Sequence, residues 1–198
     1  MLAEAIGLRG PHRNRGKRLF RDQREIWPCR LFFLGAVLIG FGSGYYHLDP
    51  DNERFLWDRL AMMLTFMAWF AAIVSERVSL RARLRLLPLF VVAGLGSAVW
   101  WGWSEAHGLG DLRFYLLMQL LPMLLIPLLL WRYPPRYSGD STILTVIGLY
   151  LLALLFDLSD HPVFELTGGW GSGHAIKHLI AALAVVGVVL HLRRRQAL

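Results

Sequence analysis

Six stretches of this chain are too long and too apolar to be anything but helices crossing a lipid bilayer. They run near residues 29–48, 59–76, 85–104, 113–131, 141–157 and 172–192. Each has roughly 17–22 residues, and about 20 residues of helix cross the hydrocarbon core. Lipid offers no partner to an open backbone N–H or C=O, so each run must satisfy its own groups as a helix. Only 18% of the 198 residues are charged and 56% are hydrophobic, whereas a soluble domain carries about 25% charged residues. The expected fold class is an all-α integral membrane protein with six transmembrane helices. Cys29 is the one cysteine, which excludes an intrachain disulfide and a cysteine-based zinc site. Gly40, Gly42 and Gly44 permit close helix–helix contact, and Pro88, Pro122 and Pro127 are expected to kink their helices.

Basic residues set the orientation. Residues 1–27 form an arginine-rich stretch (RGPHRNRGKRLFRDQR) without the apolar core and cleavage site of a signal peptide. They are expected to be a basic cytoplasmic tail preceding a transmembrane domain over 28–198. Of the 21 Lys and Arg, 17 fall in that tail, in the loops after the second and fourth helices, and at the C-terminus. With six helices these regions share one side, and the positive-inside rule makes it the cytoplasm. Arg54, Arg59, Arg113 and Lys177 are left on the other side. The net charge of +7 follows from topology, because the basic residues flank apolar segments instead of lining a groove. No nucleic-acid partner is expected; the partner is the bilayer.

Five polar residues stand out against this background. Ser43 and His47 close the first apolar run, Asp58 opens the second, and His174 and His178 open the last. All five therefore fall at the non-cytoplasmic ends of their helices. Ionisable groups at membrane depth point to a functional site. His174 and His178 are four residues apart, as are Ser43 and His47, so each pair shares a helix face. Three imidazoles around one ion leave a fourth position for water, the arrangement of a catalytic zinc site, with Asp58 as its base and Ser43 as a donor to a developing oxyanion. Spacing alone is equally compatible with interfacial histidines, with Ser43 as a packing residue in GFGSG, and with Asp58 as a helix cap. His107 and His161 lie in loops on the same side and stay open as ligands. Gln119 and Asp157 read as interhelical hydrogen-bonding groups, Asp157 alternatively as an interfacial one. The WWGW string (Trp100, Trp101, Trp103) with Tyr45 and Tyr46 reads as an aromatic belt.

The strings GFGSGYYHLDPDNERFLWDRLAMMLTFMA, GDLRFYLLMQLLPMLLIP and SGHAIKHLIAAL resemble the alkaline ceramidase family. The likeness is to its bacterial branch, within a superfamily that includes adiponectin-type receptors, haemolysin III proteins and GPI-anchor lipid-remodelling proteins. The resemblance covers roughly residues 29–192. It implies a ceramidase-like seven-helix bundle lacking its first helix, and zinc held by His47, His174 and His178. It further implies Asp58 as the base on zinc-bound water and Ser43 as the oxyanion donor. The implied activity is an intramembrane zinc-dependent amidohydrolase that cleaves the N-acyl amide bond of ceramide to fatty acid and sphingoid base. Alternatives within the superfamily are a zinc-dependent lipid esterase and a non-catalytic haemolysin III or receptor-like protein. Calcium is not carried over, because the family's acidic N-terminal stretch has no counterpart in residues 1–27. The expected location is a bacterial inner membrane, with the site on the periplasmic side.

Overall fold

A computed structural model of the chain describes residues 20, 22–78 and 80–198, so most of the expected basic tail lies outside the described residues. Among the described residues a 3-10 turn, Gln23–Glu25, leads into seven helices: α1 (Ile26–Leu48), α2 (Asn52–Arg77), α3 (Leu80–Ala106), α4 (Arg113–Arg132), α5 (Asp140–Leu158), α6 (Asp160–Leu166) and α7 (Gly173–Arg194). All but α6 are long and apolar enough to cross a membrane. The protein is an all-helical, multi-pass integral membrane protein, as the apolar runs require. Pro88 lies inside α3, and Pro122 and Pro127 inside α4.

The helices start earlier than the apolar runs do. Apolarity marks where lipid begins, whereas a cap marks where helix begins. Asp51 caps α2, its carboxylate accepting from Arg54 N at 2.7 Å. Asp58 is therefore not the cap that its place at the head of the apolar run suggested; it lies inside the helix and is buried. Arg54 also pairs with Asp49 at 2.9 Å and Asp51 at 3.4 Å, which pins the α1–α2 turn.

The chain forms two compact units. In the unit of residues 20–136, α2 packs against α1, α3 and α4 and is the most buried of the spans. Its close approach to α1 depends on two glycines two turns apart. A Cβ on Gly35 would collide with Thr65 Oγ1, and one on Gly42 would lie 3.0 Å from the Asp58 backbone. Gly40 and Gly44 meet nothing within 4 Å, so only Gly42 of the three expected contact glycines makes one. Met63, Met67, Ala98, Tyr115 and Met118 form the core of this unit.

In the unit that contains residues 137–198, α5 packs along α7, and the short α6 packs on both. Ser138 N donates to Gln196 O at 2.9 Å, and Arg195 stacks on the buried Tyr137 ring, 4.3 Å from Cζ to its centroid. Gly139 has φ +107°, and a Cβ there would stand 2.9 Å from His191 Nδ1. This corner therefore requires glycine on both conformational and steric grounds.

Candidate functional site

The start of α7 is built as a fixed corner. Ser172 caps it, accepting from Ala175 N at 3.1 Å, and the Asp160 carboxylate accepts from His174 N at 2.7 Å. That backbone hydrogen bond, aided by the Ser172 hydroxyl and the charges of His174 and Lys177, holds Asp160 below the usual carboxylate range. Gly173 lets α7 approach the α5–α6 turn: a Cβ there would collide with the Phe156 carbonyl oxygen and lie 2.9 Å from Asp160 Cα. The preceding turn is closed by the Thr167 hydroxyl, which donates to Gly171 O at 2.7 Å. Gly168 and Gly169 adopt positive φ, and Trp170 is 96% exposed at the tip.

On this corner the two histidines converge. Their rings meet edge to face, with His174 Nε2 and His178 Nε2 3.1 Å apart. His174 Nδ1 lies 3.0 Å from Asp157 Oδ1 on α5 and 3.1 Å from Lys177 Nζ, and Lys177 also pairs with Asp157 at 3.0 Å. A neutral imidazole has one N–H and one lone pair. If Nδ1–H donates to Asp157, Nε2 presents its lone pair to His178, and a proton or a cation must sit between the two nitrogens. A carboxylate behind a histidine is the usual support of a metal ligand, since it fixes the tautomer and raises basicity. Zinc–nitrogen bonds are about 2.0–2.1 Å, so nitrogens 3.1 Å apart can both reach one ion. Donor type, spacing and supporting carboxylate all fit a divalent metal. Asp157 thus makes the interhelical hydrogen bond expected of it, with a histidine as partner.

Ser43, His47 and Asp58 belong to the other unit. Ser43 and Asp58 are buried where α1 and α2 touch through Gly42, whereas His47 is exposed near the end of α1, beside the Tyr46 ring at 5.3 Å. Of the residues left open as ligands, His107 Nδ1 contacts Trp103 O at 2.7 Å, and His161 pairs with Glu165 at 3.4 Å in α6.

The sequence reading missed Arg59, one turn beyond Phe55 on α2. Its guanidinium carbon lies 4.3 Å from the Phe55 ring centroid, 4.1 Å from that of Trp101 and 4.6 Å from that of Tyr115. Trp101 is buried, unlike the exposed Trp100 and Trp103, so it faces Arg59 and is not part of the aromatic belt. The signal available in the sequence was an arginine inside an apolar run, on the side that holds four basic residues.

The chain is similar to the undecaprenyl phosphate-alpha-4-amino-4-deoxy-L-arabinose arabinosyl transferases of Pseudomonas aeruginosa and Pseudomonas paraeruginosa. Each is 31% identical over 146 residues, which is 73% of this chain and 23% of the relative. The chain thus spans about a quarter of the length of the curated relatives it matches. No family model and no solved structure matches it. These relatives are named as transferases, which overturns the resemblance to alkaline ceramidases. The amidohydrolase activity on ceramide falls with it, as do the esterase and receptor-like alternatives. The physical reason is that a four-residue repeat on a helix fixes a shared face but carries no information about the bond that is broken.

Proposed function

We propose that the chain is a membrane-embedded, metal-dependent transferase that works on a lipid-linked substrate. The observation that carries the metal centre is the convergence of His174 and His178 Nε2 at 3.1 Å, with Asp157 behind His174. The names of the relatives support the substrate class, a sugar carried on a polyprenyl phosphate. Such a substrate keeps its tail in the bilayer and offers its reacting group at the headgroup layer.

His174 and His178 would hold the ion, and the sequence reading adds His47 as a third nitrogen. Zinc is the first candidate, although imidazole suits several transition metals. When bound, a divalent ion supplies Lewis-acid stabilisation of charge developing on oxygen. Asp157 keeps His174 in the tautomer that presents Nε2.

Metal analysis of the purified full chain tests the centre. The expected result is metal bound in wild type and lost in His174→Ala and His178→Ala, with His47→Ala reporting on the third ligand. Metal content unchanged in the His174/His178 double variant would overturn the assignment. Incubation with an undecaprenyl-phosphate-linked aminoarabinose and membrane acceptors tests the transfer. Free undecaprenyl phosphate should appear with wild type and not after chelation.

A further inference from the structure

Arg59 is half-buried in a place that asks for an anion. A guanidinium does not lose its proton in proteins, and it presents two flat faces and an edge of five N–H donors. Aromatic faces from three helices crowd it: Phe55 on α2, Trp101 on α3 and Tyr115 on α4, all within 4.6 Å of Cζ. Ring quadrupoles stabilise the charge but satisfy no N–H. Nε and Nη1 are buried and hydrogen-bond to no described residue.

Its neighbours are otherwise engaged. Arg54 pairs with Asp49 and Asp51, and Arg113 with Asp111 at 2.9 Å. Glu105 accepts from Asn52 Nδ2 at 2.9 Å. Asp58 and Glu105 are close enough to act on Arg59 through their charge, yet neither forms an ion pair with it. Arg59 lies seven residues into α2 and heads its apolar run, 59–76, the place where headgroups are expected to give way to hydrocarbon. The abundant anion at that depth is the phosphate of a lipid, and a planar guanidinium edge recognises phosphate with paired hydrogen bonds.

We infer that Arg59, its guanidinium caged by Phe55, Trp101 and Tyr115, is a binding site for the phosphate of a lipid. The phosphate belongs either to a membrane phospholipid or to a polyprenyl phosphate. Only the second source rests on the function proposed above.

The test uses the full chain in a phosphate-free maltoside detergent, with binding read by native mass spectrometry. The probes are two matched pairs: undecaprenyl phosphate against undecaprenol, and phosphatidylglycerol against diacylglycerol. Wild type should favour the phosphate-bearing member of at least one pair by about tenfold or more, the scale of a hydrogen bond to a charged group. Arg59→Gln should abolish that preference, and Arg59→Lys should keep part of it. Preference in both pairs marks a general lipid-phosphate site, and preference in the undecaprenyl pair alone marks the substrate; both support the inference. Preference in the phospholipid pair alone supports it too, while withdrawing support from the polyprenyl reading. Equal binding within both pairs overturns it, as does a preference that survives in folded Arg59→Gln. Should that variant fail to fold, wild type is photo-crosslinked to whichever lipid phosphate it prefers, carrying a diazirine next to the phosphate. Adducts should fall on peptides holding Phe55, Trp101 or Tyr115, and adducts confined elsewhere overturn the inference. The metal centre is judged by metal content, which none of these outcomes alters.

Discussion

Single residues at the head of α7 decide whether two imidazoles can serve one ion. Asp157 lies outside the proposed ligand set but 3.0 Å from His174 Nδ1, where it would fix the tautomer of that ring. Asp157→Asn should therefore lower metal affinity by about 10–100-fold, the usual cost of losing such a partner, measured by competition with a chromogenic chelator. Gly173→Ala reaches the same centre by another route. The new methyl would press on the Phe156 carbonyl and the Asp160 backbone, and overpacking of this kind costs about 1–3 kcal/mol. Thermal unfolding in detergent should show the loss, together with weaker metal retention. The histidine pair was legible because four residues make one helical face. Asp157 was legible as a polar group between helices, but its partner was not, since the α5–α7 register is set by Gly173, Gly187 and their neighbours and leaves no periodic mark. Arg59 was missed because Trp101 looks, in sequence, like one more member of an aromatic belt; only the helix rotation turns it inward.

Helix ends carry most of the charge chemistry outside the bilayer. Asp111 sits before α4 and accepts from Arg113 Nε at 2.9 Å, Arg113 Nη2 at 3.0 Å and Arg113 N at 3.1 Å. These bonds, with a further one from Trp100 Nε1, hold its carboxyl well below the usual carboxylate range. A depressed value means that the contribution to stability is complete above the ordinary aspartate pKa of about 3.9 and is lost as pH falls through the folded value. The protection factor at the first turn of α4, corrected for the intrinsic pH dependence of exchange, should therefore start to fall below about pH 4 in wild type. In Asp111→Asn the protection factor should already be low and nearly independent of pH; equal protection in both chains would show that Asp111 does not hold this turn. Caps also explain where sequence and structure part company on element ends. Hydropathy located all six spans, but Asp51 and Ser172 set where α2 and α7 begin, and α6 is too short to register as an apolar run.

At the scale of the whole chain, lipid is the strongest organiser. It leaves the backbone one way to cross, so the number of spans was readable from composition along the sequence, and the basic residues carry the expected orientation. Cys29 is buried, so new cysteines can be introduced without removing it. Leu109→Cys, in the exposed α3–α4 turn, should react with a membrane-impermeant maleimide in intact spheroplasts. Gln196→Cys, near the C-terminus, should react only after permeabilisation; the reverse pattern would invert the topology. Chemistry was less legible than architecture, because helical spacing puts Ser43 with His47, and His174 with His178, on shared faces without naming the bond they would act on. The relatives changed the reaction class without moving a helix.

Trp170 has a consequence of its own. A tryptophan almost wholly bare at the tip of the turn before α7 acts as a float, because indole settles at the waterline between headgroups and hydrocarbon. The turn beneath it is tied by Thr167 to Gly171, so the float is on a short tether. Helix α7 is therefore expected to keep a fixed draught, with its two histidines at a set depth below the surface. A thicker or thinner bilayer should tilt the helix about that mooring before it submerges the imidazoles.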